Sequence, residues 1–212
     1  VNAPIVNSKK YNEIPKPKVE ESKISLIAVG DALIHGAIYQ NVQKSNYDFK
    51  PIFSEVKNVF SSYDLRFYNQ ETILGGKELG LSTYPQFNSP TEVGDAFMDM
   101  GFNLVSLATN HTLDRGVSTN WKTIKSSREY WNKQENVIAA GSYATQKEKD
   151  EVIVKEKNGI KYGLLAYTTL SNGLTMPKDK RFYLNVYSDS LAKKDIEALR
   201  DKVDVLIVSM HW

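Results

Sequence analysis

From Ile24 onward, short apolar runs alternate with stretches whose apolar residues recur at helical spacing. ISLIAVGD (24–31) is a compact apolar run closed by Gly-Asp, the pattern of a buried strand feeding a loop. Residues 51–62 open with Pro51 and place Ile52, Val56, Val59 and Phe60 at helical spacing, which predicts a helix. DLRFYNQET (64–72) predicts a second strand, and residues 75–90, with Gly75, Gly76, Gly80, Pro85 and Pro90, a loop. In 89–102, Ser89 suits a helix cap, Pro90 the first turn and Gly101 the end. NLVSLATNH (103–111) follows as a third strand and 121–134 as a further helix. Asn158-Gly159 separates two alternating runs and predicts a hairpin within 151–168. Residues 188–203 form a well-marked helix, with Ser188 and Asp189 at its start, and DVLIVSMHW (204–212) is a fourth buried strand.

Strands alternating with helices predict an α/β layered fold with a largely parallel central sheet. Residues 1–23 differ: they hold five lysines, three glutamates and three of the seven prolines, and read as an extended linker preceding a domain over 24–212. A Lys/Pro stalk that begins at Val1 fits a domain tethered outside a membrane, or secreted, its signal or anchor segment removed.

Charge and composition then narrow the chemistry. Lys+Arg is 27 against Asp+Glu 25, and the excess lies in the first 23 residues, so the body is neutral. A neutral body argues against nucleic-acid binding, which needs a basic face. No apolar run approaches the roughly 18–20 residues of a membrane helix. The absence of cysteine removes disulfides, zinc-thiolate sites and cysteine nucleophiles. Sequences for a nucleophile elbow, a P-loop, a zincin helix or a dinucleotide fingerprint are absent too.

In open α/β sheets, ligands bind beyond the carboxyl ends of the strands. Asp31 and His35 follow the first apolar run, Asn69 and Glu71 the second, Asn110, His111 and Asp114 the third, and His211 the fourth. All three histidines of the chain therefore stand at strand exits. Singly, each has a plainer reading: Gly30-Asp31 as a turn, Asn110-His111 as a cap, Asp114 and Arg115 as orienting the next helix, His211 as a core strand end. Jointly, carboxylates, imidazoles and a carboxamide oxygen on one rim suit a divalent ion such as Mn²⁺, Zn²⁺ or Fe. Two ions roughly 3.5–4 Å apart would activate a water and neutralise a phosphoryl or acyl oxygen.

GDALIH (30–35), NQET (69–72), ATNHTLDRG (108–116) and SMHW (209–212) stand in the order and spacing of the CapA family of bacterial capsule-biosynthesis proteins. That family is linked to poly-γ-glutamate production and is similar to calcineurin-like metallophosphoesterases. The resemblance implies a metallophosphoesterase-like sandwich with Asp31, Glu71, Asn110, His111 and His211 as metal ligands, Glu71 standing in place of the usual bridging aspartate. It implies a surface-exposed, membrane-anchored protein working in a capsule-synthesis membrane complex on poly-γ-glutamate or a related polymer. The family pattern runs on past its His-Trp segment to a Gly-His-x-Pro-His-type motif, so the resemblance also implies a domain truncated at its C-terminus, with an incomplete ligand set.

Three functions follow as expectations. One is a metal-dependent hydrolase of phosphoester or amide bonds, with His35 or Asp114 assisting proton transfer or substrate orientation and Asn69 and Arg115 near substrate. Another is a non-catalytic scaffold or polymer-binding component of a capsule synthesis or export complex. The third is a cell-surface binding domain with incidental histidines.

Overall fold

A computed structural model describes residues 21–212. The expected linker lies outside the described residues as far as residue 20, and residues 21–23 are exposed and without regular structure.

Four strands, β1 (Leu26–Asp31), β2 (Leu65–Asn69), β3 (Leu104–Ser106) and β4 (Ile138–Ala140), form a parallel sheet in that order, the largely parallel central sheet expected. The connections hold α1 (Gly36–Val42), α2 (Lys57–Phe60), α3 (Glu92–Asp99) and α4 (Lys122–Asn132). Strand side chains alternate between faces, and each face of this sheet has its own core. Tyr68 and Val105 pack with Val93, Phe97, Phe102 and Trp131 on the helical side, where Tyr68 stacks on Phe97 at 3.9 Å. Leu65, Leu104, Ile138 and Ala140 face a second sheet, meeting Tyr162, Leu164 and Ala166.

That second sheet runs β5 (Lys155–Lys157), β6 (Ile160–Thr168), β7 (Val205–His211), antiparallel then parallel. The β5–β6 hairpin turns at Asn158 and Gly159, both at positive φ, as the Asn-Gly pair predicts. Past the short α5 (Gln146–Asp150), its outer face is covered by α6 (Asp189–Leu199), which approaches so closely that a Cβ on Gly163 would lie 2.8 Å from Leu199. Ser188 caps α6, its hydroxyl accepting from Leu191 N–H at 3.3 Å. The layers are thus helices, parallel sheet, second sheet and helix. Among the described residues no helix is long and apolar enough to cross a membrane.

Several expectations need correction. Residues 51–62 are not one helix but a 3-10 turn at Lys50–Phe53 and the single turn α2. The stripe that predicted a helix has little to bury against, since Ile52, Val56 and Val59 are exposed, and a short helix without tertiary packing is marginal. Ser89 does not cap α3: its hydroxyl bonds Thr72 at 2.9 Å, and Thr91 precedes the helix without a side-chain cap. Gly101 does close it, at φ +80°. Strand β4 is three residues long, below the length at which an apolar run signals a strand. β7 is an edge strand rather than a buried one, with Val205 and Val208 exposed on it.

Gly141, just past β4, sits where the two sheets leave no room for a side chain. Its φ is +102°, and a Cβ there would sit 2.5 Å from the Ala108 Cβ and 3.0 Å from that of Ala166. Gly141→Ala should therefore cost about 2 kcal/mol or more through overpacking and backbone strain, read as a fall of several degrees in Tm.

Candidate functional site

Parallel pairing sets the exits of β1, β2 and β3 side by side. Asp31 lies opposite Asn69, and Asn69 opposite Ser106, while in the second sheet Thr168 lies opposite His211. The segment after β3 is held by hydroxyls. Thr109 Oγ1 donates to the Glu71 carbonyl at 2.8 Å and accepts from His111 N–H at 3.0 Å. Thr112 Oγ1 donates to the Leu107 carbonyl at 2.7 Å and accepts from Thr109 N–H at 2.9 Å. These bonds fix Asn110 and His111 beside the exit of β2.

A hydrogen-bonded chain then crosses the rim from Asp31 to Asn172. Asn69 Nδ2 donates to Asp31 Oδ1 at 2.7 Å and to His211 Nδ1 at 3.2 Å. A carboxamide nitrogen has only protons to offer, so His211 Nδ1 accepts and its Nε2–H donates to Asn110 Oδ1 at 2.8 Å. Asn110 Nδ2 donates to Asn172 Oδ1 at 3.2 Å, and Asn172 Nδ2 lies 3.4 Å from His111 Nδ1. His111 Nδ1–H donates to the buried Asp114 Oδ2 at 2.8 Å, an oxygen that also accepts from Phe87 N–H at 2.6 Å. That pairing leaves His111 Nε2 with its lone pair.

Glu71 is buried beside the chain. Burial, then the charge of Asp31, push its carboxyl above the ordinary carboxylate range, and His111 opposes them. Burial lowers the His211 imidazole below its ordinary value, His111 adds to that, and Asp31 partly offsets it. His211 is thus kept in the neutral form that can ligate.

In kind, this donor set suits a divalent ion: two mutually repelling carboxylates, two imidazoles and carboxamide oxygens. Asn69 Oδ1 is buried and has no hydrogen-bond partner. In placement the set is not closed, because among the described residues no three or more His, Asp and Glu side chains stand ready to hold one ion. The Asn69 amide lies between Asp31 and His211, which are 3.8 Å apart.

The expected residues divide accordingly. Asp31, Asn69, Asn110 and His211 join one network, with the His111–Asp114 pair and Glu71 beside it. His35 makes no hydrogen bond to that network: its exposed ring meets Phe87 edge-on at 5.1 Å, and Phe87 in turn meets His111 at 4.7 Å. Arg115 turns away to Ser118 Oγ and the Gly80 carbonyl and braces the 75–90 loop. Asn172 was missed, although it stands just past the apolar run GLLAYT and the strand-exit rule applies to it equally. With Tyr84, Pro85, Gln86 and Leu174 it walls a groove of about 330 Å³ floored by Asn110, His111 and Asp114.

With the geometry in hand, the relatives are informative. The family described as "Bacterial capsule synthesis protein PGA_cap" matches residues 25–212. The chain belongs to this family. Proteins similar to this chain include the capsule biosynthesis protein CapA of Bacillus anthracis, 23% identical over 91% of this chain and 47% of that protein. They also include the PGA biosynthesis protein CapA of Bacillus subtilis (strain 168), 24% identical over 94% of this chain and 52% of that protein. The chain spans about half the length of these relatives.

Two consequences of the PGA_cap rim are measurable. Asp114→Ala leaves His111 Nδ1–H and Phe87 N–H without their acceptor. It should cost about 2–4 kcal/mol, seen as a lower urea midpoint at pH 7, with Asn restoring part. Glu71, whose folded pKa is raised, favours the fold while protonated and loses that contribution as pH rises through the folded value. In the ion-free protein, Glu71→Gln should therefore raise Tm by a few degrees near neutrality, a gain that shrinks as the pH drops below the ordinary glutamate range.

Proposed function

We propose that this capsule-synthesis chain forms a divalent-ion hydrolase site acting on a phosphoester or amide bond of a capsule polymer or its precursor. Asp31, Glu71, Asn110, His111 and His211 are the residues that would hold the ion, one of Mn²⁺, Zn²⁺ or Fe. Such an ion supplies Lewis acidity at a phosphoryl or acyl oxygen and lowers the pKa of a water. The observation that supports this reading is the meeting of side chains from four strand exits in one chain of hydrogen bonds.

The protein's own groups divide the work. Asp114 acts as a positioning residue, fixing the His111 tautomer so that Nε2 presents its lone pair. Glu71, whose carboxyl is pushed above the ordinary carboxylate range by burial and by Asp31, is suited to take up or release a proton. The groove between Tyr84–Gln86 and Asn172–Leu174 gives an extended substrate access to His111. The name of the B. subtilis relative refers to PGA, and poly-γ-glutamate is accordingly the first polymer to test, in a protein working at the outer face of the membrane.

A second reading, a non-catalytic component of the capsule complex, is favoured by one observation. No grouping of three His, Asp or Glu side chains ready for an ion is present among the described residues. Elemental analysis of the purified protein and of His111→Ala separates the two. About one Mn, Zn or Fe per chain, lost in the folded variant together with capsule output, is the expected result. No metal in either protein, with capsule output unchanged in cells carrying the variant, would overturn the hydrolase reading in favour of the scaffold.

A further inference from the structure

Asn69 occupies the centre of the rim in a way that its neighbours do not. Its Nδ2 donates to Asp31 Oδ1 at 2.7 Å and His211 Nδ1 at 3.2 Å, so both protons go to the two groups that most need a positive partner. The amide nitrogen thereby stands in for a cation between a carboxylate and an imidazole lone pair. Asp31 Oδ1 and His211 Nδ1 are 3.8 Å apart, less than twice the ~2.0–2.2 Å of a metal–ligand bond to oxygen or imidazole nitrogen, so one ion can touch both. The other half of the same amide, Oδ1, is buried on a side chain 5% exposed and has no partner. A buried carbonyl oxygen left unpaired costs stability and calls for an explanation.

We propose that Asn69 is an exchangeable ligand: its amide holds Asp31 and His211 together in the ion-free protein and turns its Oδ1 onto the ion when one binds. The inference rests on the divalent-ion reading above and adds a residue to it. Half a turn about the Cβ–Cγ bond exchanges Nδ2 for Oδ1 without moving the backbone. The turn frees Asp31 Oδ1 and His211 Nδ1 for the ion and brings the Asn69 oxygen onto it, with Nδ2 taking the buried position that Oδ1 leaves. Asn110 Oδ1 already accepts from the opposite nitrogen of the His211 ring, which keeps the ring oriented while Nδ1 changes partner. The ion-free rim is thus closed by a neutral amide rather than left as a carboxylate facing an imidazole lone pair.

The test uses Zn²⁺ alone as probe, with ¹⁵N-labelled protein and calorimetry. In the native protein the Asn69 side-chain NH₂ resonances should shift as Zn²⁺ is added, together with the His211 ring signals. Asn69→Ala should bind Zn²⁺ at least tenfold more weakly, and Asn69→Asp, which retains an oxygen, should bind at least as tightly as the native protein. Zn²⁺ binding that leaves the Asn69 NH₂ signals unmoved would overturn the inference and leave the ion-site reading standing. So would equal or tighter binding by folded Asn69→Ala, which would make the amide only an obstruction. Absence of Zn²⁺ binding to both the native protein and Asn69→Asp would remove the ion-site reading, and the inference with it. The native titration and the Asp variant decide the matter even if the Ala variant does not fold.

Discussion

The hydrogen bond between Asn69 and His211 joins the two sheets at their functional rim. Asn69 ends the second strand of the four-stranded parallel sheet, and His211 ends the edge strand of the smaller one. Elsewhere the sheets meet through apolar contacts such as Leu104 and Ile138 against Leu164 and Ala166, which are non-directional and allow small slides. The Asn69–His211–Asn110 sequence of bonds is directional, and it sets the two sheets in a single relative position at the end where polar side chains gather. The close approach at Gly141 performs the same task from the interior, since the space between Ala108 and Ala166 admits no side chain. Site geometry and sheet packing are therefore one problem.

That coupling explains why the rim is built from carboxamides and threonines as much as from charged groups. Asp31 and Glu71 already oppose one another, and burial pushes Glu71 toward its neutral form. A further carboxylate beside them would deepen that conflict, whereas Asn69 donates to both Asp31 and His211, and Asn110 accepts from His211 and donates to Asn172, so that carboxamides relay contacts between groups that would otherwise clash. Asp114 escapes the conflict because it faces two donors, His111 Nδ1–H and Phe87 N–H. This polar rim lies within the residues that match the PGA_cap family.

The strand exits were legible because a parallel sheet brings every exit to the same end, whatever the lengths of the connections. Asp31, Asn69, Asn110, His111, Asp114 and His211 could thus be grouped from order alone. Asn172 follows the same rule and escaped notice because its run was read only as half of a hairpin. Other features were not visible because they depend on tertiary partners. The helical stripe of 51–62 buries Phe60 but leaves Ile52, Val56 and Val59 exposed, and Ser89 finds Thr72 in place of a helix end. Arg115 lies within ATNHTLDRG (108–116), yet its positive φ and its bonds to Ser118 and Gly80 turn it outward. Local spacing fixes neither a side chain's direction in a loop nor which end of an amide faces inward.

The central claim is that the Asp31–Asn69–His211 contact marks an ion site. Anomalous diffraction from crystals of the protein grown with Mn²⁺ tests it directly. A single strong peak within bonding distance of Asp31 and His211, with the Asn69 amide turned from its present position, is the result this account predicts. No peak at the rim, with Asn69 Nδ2 still bridging Asp31 and His211, would contradict it.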